Sequence, residues 1–422
     1  MAKLRAEIAD KHARGKLSND DAADIARAVA EREIATAKDD GTAMLRLRET
    51  RACSDELDDV LEERMKTHDG AGAEAALARL EDRKLRVNDA RGYLDDTDDR
   101  WRAVGTRTLH KEGDRERRQK AFLDPSPRVR RSAIRASAQA KDAADLDPLF
   151  ETARVDPELL LRNEALRAMS AIVRGLGDAG KARASELAVR LRDLWTAGDD
   201  AIKEDVAVAW VLAPVYENGG KEALRVTIAS GNGPGVIAAA GAVVRTQAVK
   251  DPDLGPSASA LLARTIKEGS RRDRLHALAV ARTVGDELEA IRKVATEDDR
   301  DVRVPALARL LDSPPDRENA IKELEKVAGY GVKGYAGKAD DERALEHASR
   351  ARYALASAGD LRIQAWIEQD LTSADARRKT QAASALAALG RPARAAPLLA
   401  DADPSVRTRA ACTILVAARS PR

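Results

Sequence analysis

The polar and apolar residues of this chain follow a short pattern that returns many times. An Asp is followed three residues later by an apolar residue, next by a basic residue, and later by a small or apolar residue one helical turn beyond. Four copies share this spacing: Asp98…Trp101-Arg102…Gly105, Asp199…Ile202-Lys203…Val206, Asp299…Val302-Arg303…Ala306 and Asp403…Val406-Arg407…Ala410. Two copies carry two extra residues after the Asp: Asp124…Val129-Arg130…Ala133 and Asp156…Leu161-Arg162…Ala165.

This spacing predicts short helices that need neighbours of the same kind. An Asp before a helix accepts hydrogen bonds from the first free backbone N–H groups and suits the positive helix end. The apolar residue and the small residue four positions later share one face, which lets a second helix approach closely. Self-similarity with a period of about 20–50 residues is typical of a stacked solenoid. We therefore predict an all-α fold, an α-solenoid of about ten stacked helix pairs with a helical N-terminal cap.

At these residues the chain resembles the HEAT-repeat family, especially the bacterial HEAT-like repeats that are also found in bilin lyases. The resemblance covers roughly residues 90–422. It implies that the Asp and the basic residue lie on the second helix of each pair and form a polar ladder from repeat to repeat. It would place Asp98, Asp199, Asp299 and Asp403 beside Arg102, Lys203, Arg303 and Arg407, in structural roles.

Residues 1–90 are predicted to be helical but do not follow the repeat pattern. Ser18-Asn-Asp-Asp21 resembles a capping box and precedes an apolar stripe that begins at Ala22. We interpret residues 1–90 as a capping region or degenerate repeats, and residues 91–422 as the solenoid. The last helix, 406–418, is apolar nearly all round, although a terminal repeat usually has a polar outer face. We therefore expect an uncapped end that could mediate self-association through Leu415.

Composition and charge argue against several classes of function. The chain has 73 basic and 71 acidic residues, a net charge of +2, so no global field attracts DNA or an anionic membrane. Cys53 and Cys412 are far apart in sequence, so we expect neither a disulfide framework nor a cysteine metal site. The longest apolar runs, 206–216 and 235–244, are shorter than the ~20 residues that span a bilayer, so we expect no membrane insertion.

The N-terminal sequence is charged and lacks the apolar core of a signal peptide, which favours a cytoplasmic protein. A secreted or periplasmic mature form that had been trimmed would have the same appearance.

The most polarised stretch is 100–135, with twelve basic residues against four acidic ones. If Arg107, Arg115, Arg117 and Arg118 converged with Trp101 on one face, they could hold phosphates and stack a base. The resemblance offers a precedent in HEAT-like alkylpurine DNA glycosylases. Arginines at helical spacing in a charge-balanced protein more commonly form a salt-bridged, solvated face, so the sequence disfavours nucleic acid as the partner.

A glycine-rich stretch, Gly329-Tyr-Gly331-Val-Lys-Gly334, matches a dinucleotide-binding fingerprint letter by letter. That motif requires a strand before it and a helix after it, and here it follows a predicted helix. We interpret it as a loop between repeats, with Tyr330, Lys333 and Tyr335 as candidate contact residues.

The sequence predicts no catalytic, cofactor or metal residues, since it lacks paired histidines, His-Glu dyads and a Gly-x-Ser-x-Gly elbow. It favours a non-enzymatic scaffold or adaptor that binds a protein partner on its concave surface. Two alternatives stay open: a nucleic-acid-binding HEAT-like protein such as a DNA-repair glycosylase, and a modifying protein of the bilin-lyase kind. The candidate binding residues are Trp101, Arg107, Arg115, Arg117, Arg118, Tyr330, Lys333 and Tyr335.

Overall fold

The computed structural model describes residues 8, 17–37, 50–81, 90–176, 181–231, 233–246, 251–329 and 342–419. In this part of the chain all regular structure is helical, and no strand occurs. The first helices are α1 (Asn19–Ala35), α2 (Asp58–Met65) and α3 (Gly70–Glu81). The middle of the chain contains α4 (Asp99–Arg107), α5 (Arg115–Ala121), α6 (Pro127–Ala140), α7 (Leu146–Val155), α8 (Leu159–Gly175), α9 (Lys181–Ala197), α10 (Asp200–Trp210), α11 (Ala213–Val215), α12 (Lys221–Ser230), α13 (Pro234–Arg245), α14 (Leu254–Glu268), α15 (Arg271–Val280), α16 (Gly285–Val294) and α17 (Arg300–Leu310). The last helices are α18 (Arg317–Ala328), α19 (Glu342–Ser357), α20 (Gln364–Asp370), α21 (Ala376–Ala388) and α22 (Pro404–Arg419).

The helices group into two compact units. The central unit comprises Ala90–Glu323, and the terminal unit combines Met1–Asp89 with Leu324–Arg422. The beginning and the end of the chain therefore belong to the same unit.

In the central unit the second helices of successive pairs stack in chain order. α4, α6, α8, α10, α13, α15 and α17 each contact the next one in the series. Their apolar pattern residues are buried, including Trp101, Val129, Ile202 and Val302. Because each helix buries its stripe against the next pair, the stack confirms the predicted all-α solenoid of helix pairs.

Capping follows the sequence pattern in the copies with the shorter spacing. The carboxylate of Asp199 accepts a hydrogen bond from the N–H of Ile202 at 3.0 Å, and that of Asp299 accepts one from Asp301 at 3.0 Å. In one longer copy the cap is Ser126, whose Oγ accepts the N–H of Arg128. The two extra residues therefore shift the cap from the Asp to a residue closer to the helix.

The polar ladder joins several basic residues of the pattern to an acid of the following pair. Arg102 pairs with Asp124 at 3.2 Å, and Arg130 pairs with Asp156 at 2.7 Å. Arg102 also donates to the carbonyl oxygens of Asp96 and Thr97, which precede its own helix. The cation thus bridges its own helix start and the next repeat.

In the terminal unit the stack runs α19, α21, α22 and then α1. The ladder continues across this last contact, because Arg407 on α22 pairs with the buried Glu33 on α1 at 2.6 Å. The segment Thr50–Leu57 also packs on α22, and Arg419 pairs there with Asp55 and Glu56. The N-terminal helices therefore occupy the position of a further repeat.

This packing corrects the prediction of a bare C-terminal helix. Leu415 is only 7% exposed, since α22 is flanked by α1, α21 and the 3₁₀ segment Pro392–Ala400. Self-association through this helix was expected because its apolar residues would lack a cover. The chain's own N-terminal segment covers α22, so these residues give no reason to expect a second copy there.

The expectation that the cysteines form no disulfide is also wrong. Cys53 and Cys412 are bonded, with Cα atoms 5.2 Å apart, and both are buried. Their sequence separation of 359 residues hid the pairing, because distance along the chain does not measure distance in a fold whose first and last helices touch. The bond ties the N-terminal segment to the last helix.

None of the helices that can be described is both long enough and apolar enough to cross a bilayer.

Candidate binding groove

An open groove of about 1250 Å³ runs along α19, α21 and α22 in the terminal unit. One face of each of these three consecutive helices lines it. We call it the three-helix groove. The helices contribute Glu346, Ser349, Arg350, Tyr353 and Ser357 from α19, Arg377, Arg378, Thr380, Gln381, Ser384 and Ala388 from α21, and Arg409, Cys412, Thr413 and Val416 from α22, with Asp375 preceding α21.

Helical periodicity explains why these side chains share one surface. On each helix they recur at intervals of three or four residues, which places them on a single face. The opposite faces carry Leu355, Leu386 and Ile414, each with no exposed surface. Because these core residues fix the rotation of each helix, the polar faces are held toward the groove.

Several hydroxyl groups of the groove already donate their hydrogens to their own helices. Ser357 Oγ donates to the carbonyl of Tyr353 at 3.0 Å, Ser384 Oγ to that of Thr380 at 3.1 Å, and Thr413 Oγ1 to that of Arg409 at 2.9 Å. A hydroxyl has one hydrogen and two lone pairs. The lone pairs therefore remain to accept hydrogen bonds from N–H groups of a ligand.

Tyr353 is held by the protein. Its Oη donates to Asp370 Oδ2 at 3.0 Å, and burial together with the charge of Asp370 raises the pKa of the phenol far above its usual value. The group stays protonated and oriented toward Asp370. Tyr353 therefore helps to shape the groove and is not arranged as a nucleophile.

Positive charge predominates among the lining residues. Glu346 forms an ion pair with Arg350 along α19, and the carboxylate of Asp375 caps α21 by accepting the N–H of Arg377 at 2.8 Å. The side chains of Arg377 and Arg378 are exposed and form no ion pair with any described residue. The two acids are thus engaged locally, while two guanidinium groups face solvent at the groove.

The structure places two of the sequence-predicted binding residues in the protein interior. Trp101 has no exposed surface and lies against Tyr93, with ring centroids 4.4 Å apart. Arg118 is also fully buried and pairs with Asp145 at 2.5 Å and Asp142 at 3.1 Å. Neither can stack on a base or reach a phosphate, so their proposed ligand-binding roles are corrected to structural ones.

The remaining predicted arginines of this stretch differ in their partners. Arg107 donates to Gln139 at 2.9 Å, and Arg115 pairs with Asp142 at 2.6 Å. Arg117 is exposed, and within the described chain no ion pair involves it. A binding role for these three residues stays a prediction.

Acidic residues of the following repeat pair with four of the other cations between residues 100 and 135, and Arg100 pairs with Asp98. Those beyond the stretch include Asp156, which binds Arg130, and Glu164, which binds Arg131 and Arg135 at 2.5 and 3.4 Å. The local excess of positive charge in the sequence is therefore largely cancelled in the fold.

The candidates Tyr330, Lys333 and Tyr335 lie outside the described residues, as does most of the glycine-rich stretch.

Sequence reasoning missed the residues of the three-helix groove. The available signal was a run of Ser, Thr and Arg at helical spacing on three successive second helices. A single polar stripe is typical of any solvated helix face, so the signal becomes specific only when three stripes are seen side by side.

A smaller cavity of about 480 Å³ lies in the central unit between α12 and α14. Asp251 at its rim accepts hydrogen bonds from the Lys221 ammonium group and from the N–H groups of Leu254 and Asp253. The bond from Lys221 and then that from Leu254 lower the pKa of Asp251 to about 2. This carboxylate is satisfied within the protein.

Across the described ranges, no group of three or more His, Cys, Asp and Glu side chains is arranged to hold a metal ion.

Comparisons with known proteins give weak similarities. No family model and no curated protein matches the sequence. Among solved structures, an engineered protein is 19% identical with a TM-score of 0.26, and the comparison covers 93% of this chain and 99% of that one. The karyopherin Kap121p is 12% identical with a TM-score of 0.32, over 97% of this chain and 47% of that one.

Kap121p bound to the extreme C-terminus of the protein phosphatase Cdc14p gives 14% identity and a TM-score of 0.35, over 96% of this chain and 47% of that one. The chain therefore spans about half the length of the Kap121p chains. TM-scores of this size carry no argument about family or function, and membership of the HEAT-repeat family stays a prediction.

Proposed function

We propose that this protein is a binding scaffold that holds an extended segment of a partner protein in the three-helix groove. The observation that carries the proposal is the alignment of three polar helix faces along one open groove of about 1250 Å³. Each face is fixed by a buried apolar face on the opposite side. Stacked helix pairs commonly use such preformed surfaces for binding.

The dimensions suit a peptide. Neighbouring packed helices lie about 8–10 Å apart, so a ligand that crosses α19, α21 and α22 spans about 16–20 Å. An extended chain rises about 3.3 Å per residue, which corresponds to about five or six residues. Peptide N–H groups would meet the acceptor lone pairs of Ser357, Ser384 and Thr413.

The same geometry weighs against catalysis in the groove. The hydroxyl hydrogens of Ser357 and Ser384 are donated to backbone carbonyls, which do not take up a proton, and the raised pKa of Tyr353 keeps its phenol protonated. A nucleophilic hydroxyl needs a base that accepts its proton. The nucleic-acid alternative loses its main support because Trp101 and Arg118 are buried.

A blocked groove tests the proposal. Peptides selected by display against the wild-type protein are measured for binding to the variant Ser384→Trp, in which a large side chain fills the groove from an exposed position. Ser185→Trp is the matched control, since Ser185 is an exposed helical serine of the central unit. We expect binding to be lost in Ser384→Trp and retained in Ser185→Trp. Equal binding to both variants would place the peptide site elsewhere and reject the groove.

The disulfide bears on the compartment. Disulfides persist in oxidising environments and are rare in the cytosol. We therefore infer that the secreted or periplasmic alternative suits this chain better than the cytoplasmic one.

A further inference from the structure

We infer that the segment held in the three-helix groove is acidic, and that Arg377 and Arg378 bind its carboxylates. This inference rests on the proposed function and deepens it, because it names the chemistry of the partner. Positive and negative charges are unequal among the residues that line the groove.

The lining contains Arg350, Arg377, Arg378 and Arg409 against two carboxylates, Glu346 and Asp375. Those carboxylates are engaged, Glu346 with Arg350 and Asp375 with the first turn of α21. The charge on Arg377 and Arg378 therefore has no compensating acid in the part of the protein that is described. Other arginines, such as Arg102 and Arg130, pair with an acid of the next repeat.

Position makes these two arginines suitable for an extended ligand. They begin the first full turn of α21, the middle helix of the three, so both can reach a chain that crosses the groove. A guanidinium group binds a carboxylate through two parallel N–H···O bonds. The hydroxyl lone pairs farther along α21 and α22 would accept the N–H groups of the same chain.

Nucleic acid fits the groove less well. Its backbone presents a phosphate charge at short regular intervals and no N–H donors, so the hydroxyl lone pairs would have no backbone donor from which to accept a hydrogen bond. Base stacking needs exposed aromatic rings, and the one aromatic residue of the lining, Tyr353, is half-buried and bonded to Asp370. A peptide with alternating acidic and small polar residues offers carboxylates to the two guanidinium groups and backbone N–H groups to the hydroxyl lone pairs.

The test uses fluorescence anisotropy with three labelled peptides of equal length on the full chain. The first alternates Asp and Ser, the second replaces each Asp with the isosteric Asn, and the third replaces each Asp with Lys. We expect the Asp peptide to bind at least about tenfold more tightly than the Asn peptide, with binding weakened by added salt. The Lys peptide should bind most weakly.

Variants connect the preference to the two arginines. Arg377→Glu and Arg378→Glu should each weaken binding of the Asp peptide about tenfold or more. Arg192 is an exposed arginine on α9 of the central unit, and Arg192→Glu should leave the affinity for the Asp peptide unchanged. The double variant Arg377→Glu/Arg378→Glu should gain affinity for the Lys peptide. A merely unfolded protein would not show that gain.

The outcomes separate the two proposals. If the Asn peptide binds as tightly as the Asp peptide and Ser384→Trp abolishes both, the acidic preference is wrong while the groove stands. If none of the peptides, nor any selected by display, binds in the groove, the proposed function fails as well. If a labelled single-stranded oligonucleotide binds more tightly than the Asp peptide and loses affinity in Arg377→Glu, nucleic acid replaces the acidic peptide as the ligand.

Discussion

Replacing Arg118 with Met tests the buried ion pairs that join two successive helix pairs of the central unit. Arg118 on α5 has no exposed surface, and its Nε lies 2.5 Å from Asp145 Oδ2, which is also fully buried. Its Nη1 donates to the carbonyl oxygen of Leu109 at 3.0 Å. Met has a similar length and fills most of the space, so the change removes charge and hydrogen bonds more than volume.

The size of the stability loss depends on which buried charge is left without a partner in the variant. An exposed ion pair contributes about 0–1 kcal/mol, whereas removing one partner of a buried pair costs about 3–5 kcal/mol, since the remaining charge is uncompensated. In Arg118→Met the carboxylate of Asp145 is the buried charge that loses its partner. Asp142 keeps its partner Arg115. Burial raises the pKa of Asp142, but the hydrogen bonds from Arg115 and the N–H of Ala144, together with the charges of Arg115 and Arg118, hold it below the usual range. We therefore expect a loss of about 3–5 kcal/mol in the free energy of unfolding.

Urea unfolding followed by circular dichroism measures this loss. The neighbouring Arg117→Met is a matched control, because Arg117 is exposed and its replacement should change stability by no more than about 0.5 kcal/mol. The double variant Arg118→Met/Asp145→Leu should recover much of the stability, since it removes both buried charges together. If Arg118→Met and Arg117→Met unfold at the same urea concentration, the buried pair does not stabilise the fold and the reasoning is refuted.

Two further predictions concern the disulfide that joins the two ends of the chain and the stability of the protein at acidic pH. Reducing the Cys53–Cys412 bond with dithiothreitol should lower the stability of the wild type by about 2–5 kcal/mol. The variant Cys412→Ser should have the same lowered stability with or without the reductant. If the stability of the wild type did not change on reduction, the bond would be contradicted. Asp251 has a folded-state pKa of about 2 against an ordinary value of 3.8. Its contribution to the free energy of unfolding is therefore complete above pH 3.8 and is lost as the pH falls through about 2. The urea midpoint of Asp251→Asn should fall less steeply than that of the wild type between those pH values, and parallel curves would exclude the contribution.

Features that depend on nearby residues were predictable from the sequence. A helix cap such as Asp299 and a buried residue such as Val302 are set by positions within one or two turns of the same helix. Repetition of that local unit was enough to predict a stack of helix pairs, because a helix with one apolar stripe requires a similar neighbour. The candidate site was not predictable in the same way, since Ser357, Ser384 and Thr413 look like ordinary solvated residues on their own helices.

The sequence by itself determined the helical repeat, its caps and its buried stripes, because these follow from the spacing of residues along one helix. Only the tertiary structure decided which charges cancel, for the partners of Arg118 and Arg130 lie on the next repeat. It also decided that the last helix is covered, since Arg407 reaches Glu33 from the opposite end of the chain. Such contacts are set by the path of the whole chain, which brings distant segments together, and no local pattern of residues encodes that distance.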